Sequence, residues 1–152
     1  MRIFKDKCFA RFADKEGISD DTLRAAASGI EQGQWDADLG AGVYKQRIAR
    51  PGEGKRAGYR AIIFFLSGER IFFKYGYPKS ARDNISDDEL RNFKKEAKYK
   101  FTLTASQIKA MLENGTLLEI ILGGETLWTR FTRVMFSVRF MKAQLQCMKS
   151  AA

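Results

Sequence analysis

The chain has 152 residues and a net charge of +9, with 27 lysines and arginines, 18 acids and no histidine. That length leaves room for one domain with its own core. The missing histidine excludes histidine acid–base pairs, Ser-His-Asp triads and HExxH metal sites, and there is no phosphate-cradling glycine loop of the P-loop or dinucleotide type.

Any chemistry therefore has to run on lysine, arginine, tyrosine and carboxylates. Cys8 and Cys147 stand far apart with no metal-ligand spacing, so reduced thiols and a cytoplasmic location are expected. Met1 to Lys5 lacks the apolar run of a signal peptide, and no window offers the roughly 20 apolar residues of a membrane span.

In chain order, residues 2–4 read as a short strand. Asp6 stands where it would cap a helix over 6–16, with Phe9, Phe12 and Ala13 on one side and Gly17 at the end. Ser19-Asp20-Asp21 starts a second helix, placing a cap and two acids at the positive end of the helix dipole. Its buried stripe is Leu23, Ala26, Ala27 and Ile30, and Gly33 closes it. Both helices are expected on one face of a sheet, leaving the other face to charge. Residues 35–40 read as a connector, with Trp35 a core or rim aromatic.

Three runs then alternate apolar with polar residues and are rich in aromatic and β-branched types, the signature of strands. They are Val43 to Arg50, Tyr59 to Ser67 and Arg70 to Tyr77. The loop Pro51-Gly52-Glu53-Gly54 with Gly58 joins the first two, and a tight hairpin at Ser67-Gly68-Glu69 joins the last two. Ser86-Asp87-Asp88-Glu89 starts a third helix with Leu90, Phe93 and Ala97 inward. A fourth runs from Thr104 to Glu113, stopped by Asn114-Gly115, and Leu117 to Leu122 is a final strand or a packed extension. The fold class is α+β.

After Gly123-Gly124, a plausible hinge, apolar residues recur at steps of three and four from Leu127 to Met148. Five basic residues and no acid follow Glu125. Residues 121–152 thus read as an amphipathic basic helical extension, which docks on the domain, contacts a partner protein, lies on a membrane surface or is poorly ordered alone.

From Lys45 to Arg82 the chain holds ten lysines and arginines against two acids, Glu53 and Glu69, which concentrates +8 of the +9 in the sheet. Lys45 and Arg47, two apart on one strand, share a face about 7 Å from one another. Arg60, Lys74, Lys79 and Arg82 can converge on them from neighbouring strands. Such a cluster without acids repels itself unless an anion neutralises it. Tyr44, Tyr59, Tyr75 and Tyr77 lie among the bases, a pattern suited to single-stranded nucleic acid, although each tyrosine singly also reads as a half-buried sheet residue.

The combination DADLGAGVYKQRIARPGEGK, GYRAIIFF and FFKYGYPKSARDNISDDEL resembles the HigB-like branch of the RelE/ParE toxin superfamily, the toxins of bacterial type II toxin–antitoxin modules. The resemblance covers residues 1–120 and says nothing of the segment beyond. It implies a microbial-RNase-like fold and a metal-independent, cofactor-free endoribonuclease that cleaves mRNA in the ribosomal A site. In that reaction the 2′-hydroxyl attacks the adjacent phosphate. It also implies an antitoxin partner, commonly a helix-turn-helix protein of HigA type.

Carried onto matching positions, Lys45 and Arg47 face the scissile phosphate and Arg60 is a second clamp. Tyr75, or failing that Tyr77, transfers a proton if neighbouring cations lower its pKa. Lys79 and Arg82 hold the leaving oxygen or flanking mRNA. Arg50, Lys55, Arg56, Lys74 and Tyr77 contact RNA, and Asp83 and Asn84 shape the turn into the third helix. Tyr77-Pro78 stands where relatives often have Phe-Ala. Two alternatives stay open: a ParE-like inhibitor of DNA gyrase, for which the basic set is unusually complete, and a non-catalytic RNA- or ribosome-binding module.

Overall fold

The computed structural model describes residues 1–53 and 58–121. The expected loop bases Lys55 and Arg56 and the amphipathic segment 126–148 lie outside the described residues.

A six-stranded sheet runs through the molecule in the order β2-β3-β4-β5-β1-β6. The strands are β1 (Arg2–Asp6), β2 (Ala37–Gly40), β3 (Val43–Ile48), β4 (Tyr59–Leu66), β5 (Arg70–Pro78) and β6 (Leu117–Ile120). The central meander β3-β4-β5 is antiparallel as its alternation predicts, but β1 pairs parallel with β5, so the sheet is mixed. A parallel neighbour needs a crossover. The helices α1 (Lys7–Glu16) and α2 (Asp20–Glu31) lie within the long connection that returns the chain to the far edge.

That connection covers one face of the sheet. Phe9 and Ala13 of α1 and Leu23, Ala27 and Ile30 of α2 pack on Ile48, Tyr59, Ala61, Ile63, Ile71 and Phe73. At about 25 cal/mol per Å² of apolar surface removed from water, such wholly buried side chains dominate stability. The Ser19 hydroxyl accepts from the Thr22 amide to cap α2, and Gly17 ends α1 in the left-handed conformation.

The opposite face is not left to charge. The helices α3 (Asp87–Phe101) and α4 (Ala105–Glu113) bury Phe4, Val43, Ile62, Phe64 and Phe72 beneath Leu90, Phe93, Ala97, Leu103 and Ile108. Both helices start with full capping boxes, Ser86 with Glu89 and Thr104 with Gln107. Apolar residues on both sides of β4 explain the result: Tyr59 to Phe64 is buried throughout, which a sheet covered on one face would not allow. The basic cluster keeps the end of this face beside the first turn of α3, where Glu89 binds Arg82.

Two local expectations change. Residues 37–40 form the edge strand β2 rather than a connector, pairing Ala37 with Lys45 and Asp38 with Tyr44. Asp6 precedes α1 but makes no side-chain cap. Its carboxylate instead binds the ammonium groups of Lys74 and Lys100.

Candidate active site

Register brings the basic residues together. Arg47 pairs with Arg60 across β3 and β4, and Arg60 pairs with Tyr77 across β4 and β5, which makes one cross-strand row. The next row is Lys45, Ile62 and Tyr75. All six residues stand on the α3 side of the sheet, because Val43 and Ile62, in alternation with them, belong to the core on that side. The loop after β5 completes the cluster with Arg82 and Asn84. The Arg82 guanidinium lies 5.6 Å from the Tyr77 ring centroid, and Lys45 Nζ donates to Asn84 Oδ1 at 2.9 Å.

Carboxylates from outside the basic stretch enter this cluster, contrary to the expectation of a site without acids. Arg47 Nε lies 3.3 Å from Asp36 Oδ1, and the other Asp36 oxygen accepts the Arg47 amide. Glu89, in the first turn of α3, takes Arg82 in a two-point contact with Nη1 at 3.0 Å and Nη2 at 2.5 Å. That hydrogen bond and those from Ser86 lower the Glu89 pKa to about 2, and the same contact raises Arg82. Asp36 and Glu89 were beyond sequence reasoning, because each belongs by position to a neighbouring element. Asn84 shapes the turn as expected, its carbonyl accepting from Arg82 Nε, and also holds Lys45.

These contacts differ in cost. Lys45 and Arg47 are partly or fully exposed, and ion pairs at such positions are worth about 0–1 kcal/mol, so an incoming phosphate can take the place of Asp36 or Asn84. Arg60 is a different case. It is 7 % exposed, and its Nη1 has no hydrogen-bond partner among the described residues. The hydroxyl of Tyr77, 2 % exposed, is likewise unpartnered. Leaving a buried charge and a buried hydroxyl without partners each costs kcal/mol of stability. Both groups sit in the same cross-strand row, where an anion would satisfy them.

The tyrosines form a short ladder, Tyr77 to Tyr75 at 5.8 Å and Tyr75 to Phe93 of α3 at 6.0 Å between ring centroids. Burial raises the Tyr77 pKa, outweighing Arg82 and Arg60, which pull it down. The cations therefore do not bring this phenol toward neutrality. At physiological pH it is a neutral donor.

The remaining expected residues are elsewhere. Lys79 is exposed just past the end of β5. Arg50 is on the α1 side, its Nε 3.2 Å from the Tyr59 hydroxyl, which in turn donates to Glu16. Lys74, expected to contact RNA, is held between Asp6 at 3.0 Å and Glu96 at 2.5 Å. Tyr44 packs between Trp35 and Phe65, with Trp35 37 % exposed.

Among the described residues no helix is long and apolar enough to cross a membrane, and no group of three or more histidines, cysteines and acids could hold a metal ion. No curated protein matches the chain. The family model described as the RelE toxin of the RelE/RelB toxin–antitoxin system matches residues 1–120, which are all of the strands and helices given above. The chain belongs to the RelE toxin family, the toxin component of a toxin–antitoxin system.

Proposed function

We propose that the protein is a HigB-like, ribosome-dependent endoribonuclease that cleaves mRNA in the A site and so inhibits translation in the cytoplasm, held in check by a helix-turn-helix antitoxin. The observation that carries this reading is the buried row of Arg60 and Tyr77, unpartnered at Nη1 and at the hydroxyl among the described residues, beside partly exposed Lys45 and exposed Arg47.

In the reaction a ribose 2′-hydroxyl gives up its proton to solvent as its oxygen attacks the adjacent phosphorus, the bond to the 5′-oxygen breaks, and a cyclic phosphate and a 5′-hydroxyl result. Charge builds on the non-bridging oxygens, where Arg60 with Lys45 and Arg47 stabilises it. Removing one such donor from a preorganised site typically costs a factor of about 100 to 1,000 in rate. Neutral Tyr77 donates to the departing 5′-oxygen. Tyr75, between Tyr77 and Phe93, offers its ring to a flanking base and is the alternative proton donor. Arg82 and Lys79 grip the leaving side, and Arg50 with Lys55 and Arg56 contacts RNA backbone on the ribosome.

The test is primer extension on programmed 70S ribosomes, with a ribosome-free control and a Lys45→Ala/Arg47→Ala protein. Cuts within the A-site codon that require both the ribosome and the basic pair are expected. A folded protein that sediments with ribosomes yet makes no cuts is a binding module, and one that does neither points to gyrase.

A further inference from the structure

An extra residue in β5 decides which face of the sheet carries the tyrosines. Pairing with β4 runs regularly from Leu66 opposite Arg70 to Ile63 opposite Phe73, then resumes at Ile62 opposite Tyr75. Lys74 has no opposite number. Side chains alternate along a strand, so a bulge exchanges the faces of every residue beyond it. In an unbulged ladder Tyr75 would oppose Ala61 and Tyr77 would oppose Tyr59. Both rings would then point to the α1 side, and Lys74 and Gly76 would occupy the basic rows.

Two features hold the bulge. The Lys74 ammonium is clamped between Asp6 Oδ2 at the end of β1 and Glu96 Oε2 on α3, and the second oxygen of Asp6 binds Lys100 one turn further along α3. Three elements thus meet on the one unpaired residue. Gly76, after the bulge, faces α1 so closely that a Cβ there would lie 2.3 Å from Phe12 Cδ1 and 3.1 Å from Phe9 Cε2. A tyrosine there would have to displace the Phe12 and Phe9 rings.

We propose that Lys74 is a positioning residue: clamped by Asp6 and Glu96 into the bulge, it keeps Tyr75 and Tyr77 in the rows of Lys45, Arg47 and Arg60. Its consequence for cleavage rests on the endoribonuclease reading, whereas the register does not.

The test uses the full chain and two readouts: ring-proton contacts of Tyr75 and Tyr77 by NMR, and kcat and KM for mRNA cleavage on ribosomes. Wild type and Lys74→Arg should show Tyr75 against Phe93. Lys74→Met, which keeps the stem and removes the charge, should show a second set of tyrosine signals touching Phe12. Its kcat should fall about 100-fold with KM unchanged, as displacing a reacting group by ångströms does. Deleting Lys74 pairs Tyr75 with Ile62 with no bulge at all, so the deletion protein should regain the Tyr75–Phe93 contact and cleave faster than Lys74→Met.

A Lys74→Met protein with wild-type contacts and rate would overturn the proposal. If Lys74→Met fails to fold, the deletion protein decides, and a deletion protein that is unfolded or has its tyrosines against Phe12 overturns it equally. A wild type that never cleaves would defeat the endoribonuclease reading and leave the NMR contacts to judge the register.

Discussion

At the scale of single residues, the site combines cheap contacts with expensive ones, and the expensive ones mark where chemistry would occur. Tyr77 has a buried hydroxyl with no partner among the described residues and a pKa raised by that burial. Tyr77→Phe should leave the melting temperature unchanged or slightly higher, since no hydrogen bond is lost. It should slow single-turnover cleavage by about 100-fold or more if the phenol is the proton donor. Because the raised phenol stays protonated through neutral and mildly alkaline pH, the wild-type rate should show no loss from Tyr77 ionisation below pH ~10.

Glu89 makes a second prediction. Its folded pKa of about 2 lies below its ordinary 4.5. The Arg82 contact therefore contributes stability above pH ~4.5 that is lost as the pH falls toward 2. Melting curves of wild type and Glu89→Gln should differ at pH 6 and converge as the pH approaches 2. A constant difference would rule out the linkage.

At the scale of elements, the helix starts were the most legible part of the chain. Ser19, Ser86 and Thr104 cap in the structure as their spacing predicts, because capping is a local bond between a side chain and an amide three residues on. Ser86→Ala should cost roughly 1 kcal/mol in chemical denaturation. It should also loosen the start of α3 at Glu89, whose amide donates to the Ser86 hydroxyl. Gly76→Ala inserts a methyl where Phe12 already sits and should cost about 1–3 kcal/mol.

Other features of the elements had no local signal. The strand β2 is four residues ending in glycine and exists through pairing with β3. Asp6 has the form of a cap, yet it binds two lysines, 68 and 94 residues away. The bulge at Lys74 follows from packing against α1 and α3, and no pattern within Arg70 to Tyr77 announces it.

At the scale of the whole molecule, composition located the basic cluster, and alternation ordered Lys45, Arg47, Arg60, Tyr75 and Tyr77 on one face once the register was known. What a linear count missed was that helices cover both faces and that Asp36 and Glu89 enter from either side. Eight net charges within one stretch still predict steep salt dependence. Binding of a single-stranded RNA oligonucleotide should weaken linearly in log affinity against log salt. Lys79→Ala, at an exposed position past β5, should reduce that slope by about one phosphate contact, near 0.7.

The most direct measurement compares wild type with Arg60→Met by primer extension on programmed ribosomes, alongside thermal melting of both proteins. Methionine fills similar space without the buried guanidinium, whose Nη1 has no partner among the described residues. The melting temperature should hold or rise, while A-site cleavage should fall about 100- to 1,000-fold at saturating ribosomes. Unchanged cleavage by a well-folded Arg60→Met protein would contradict the assignment of the Arg60–Tyr77 row as the place where the phosphate reacts.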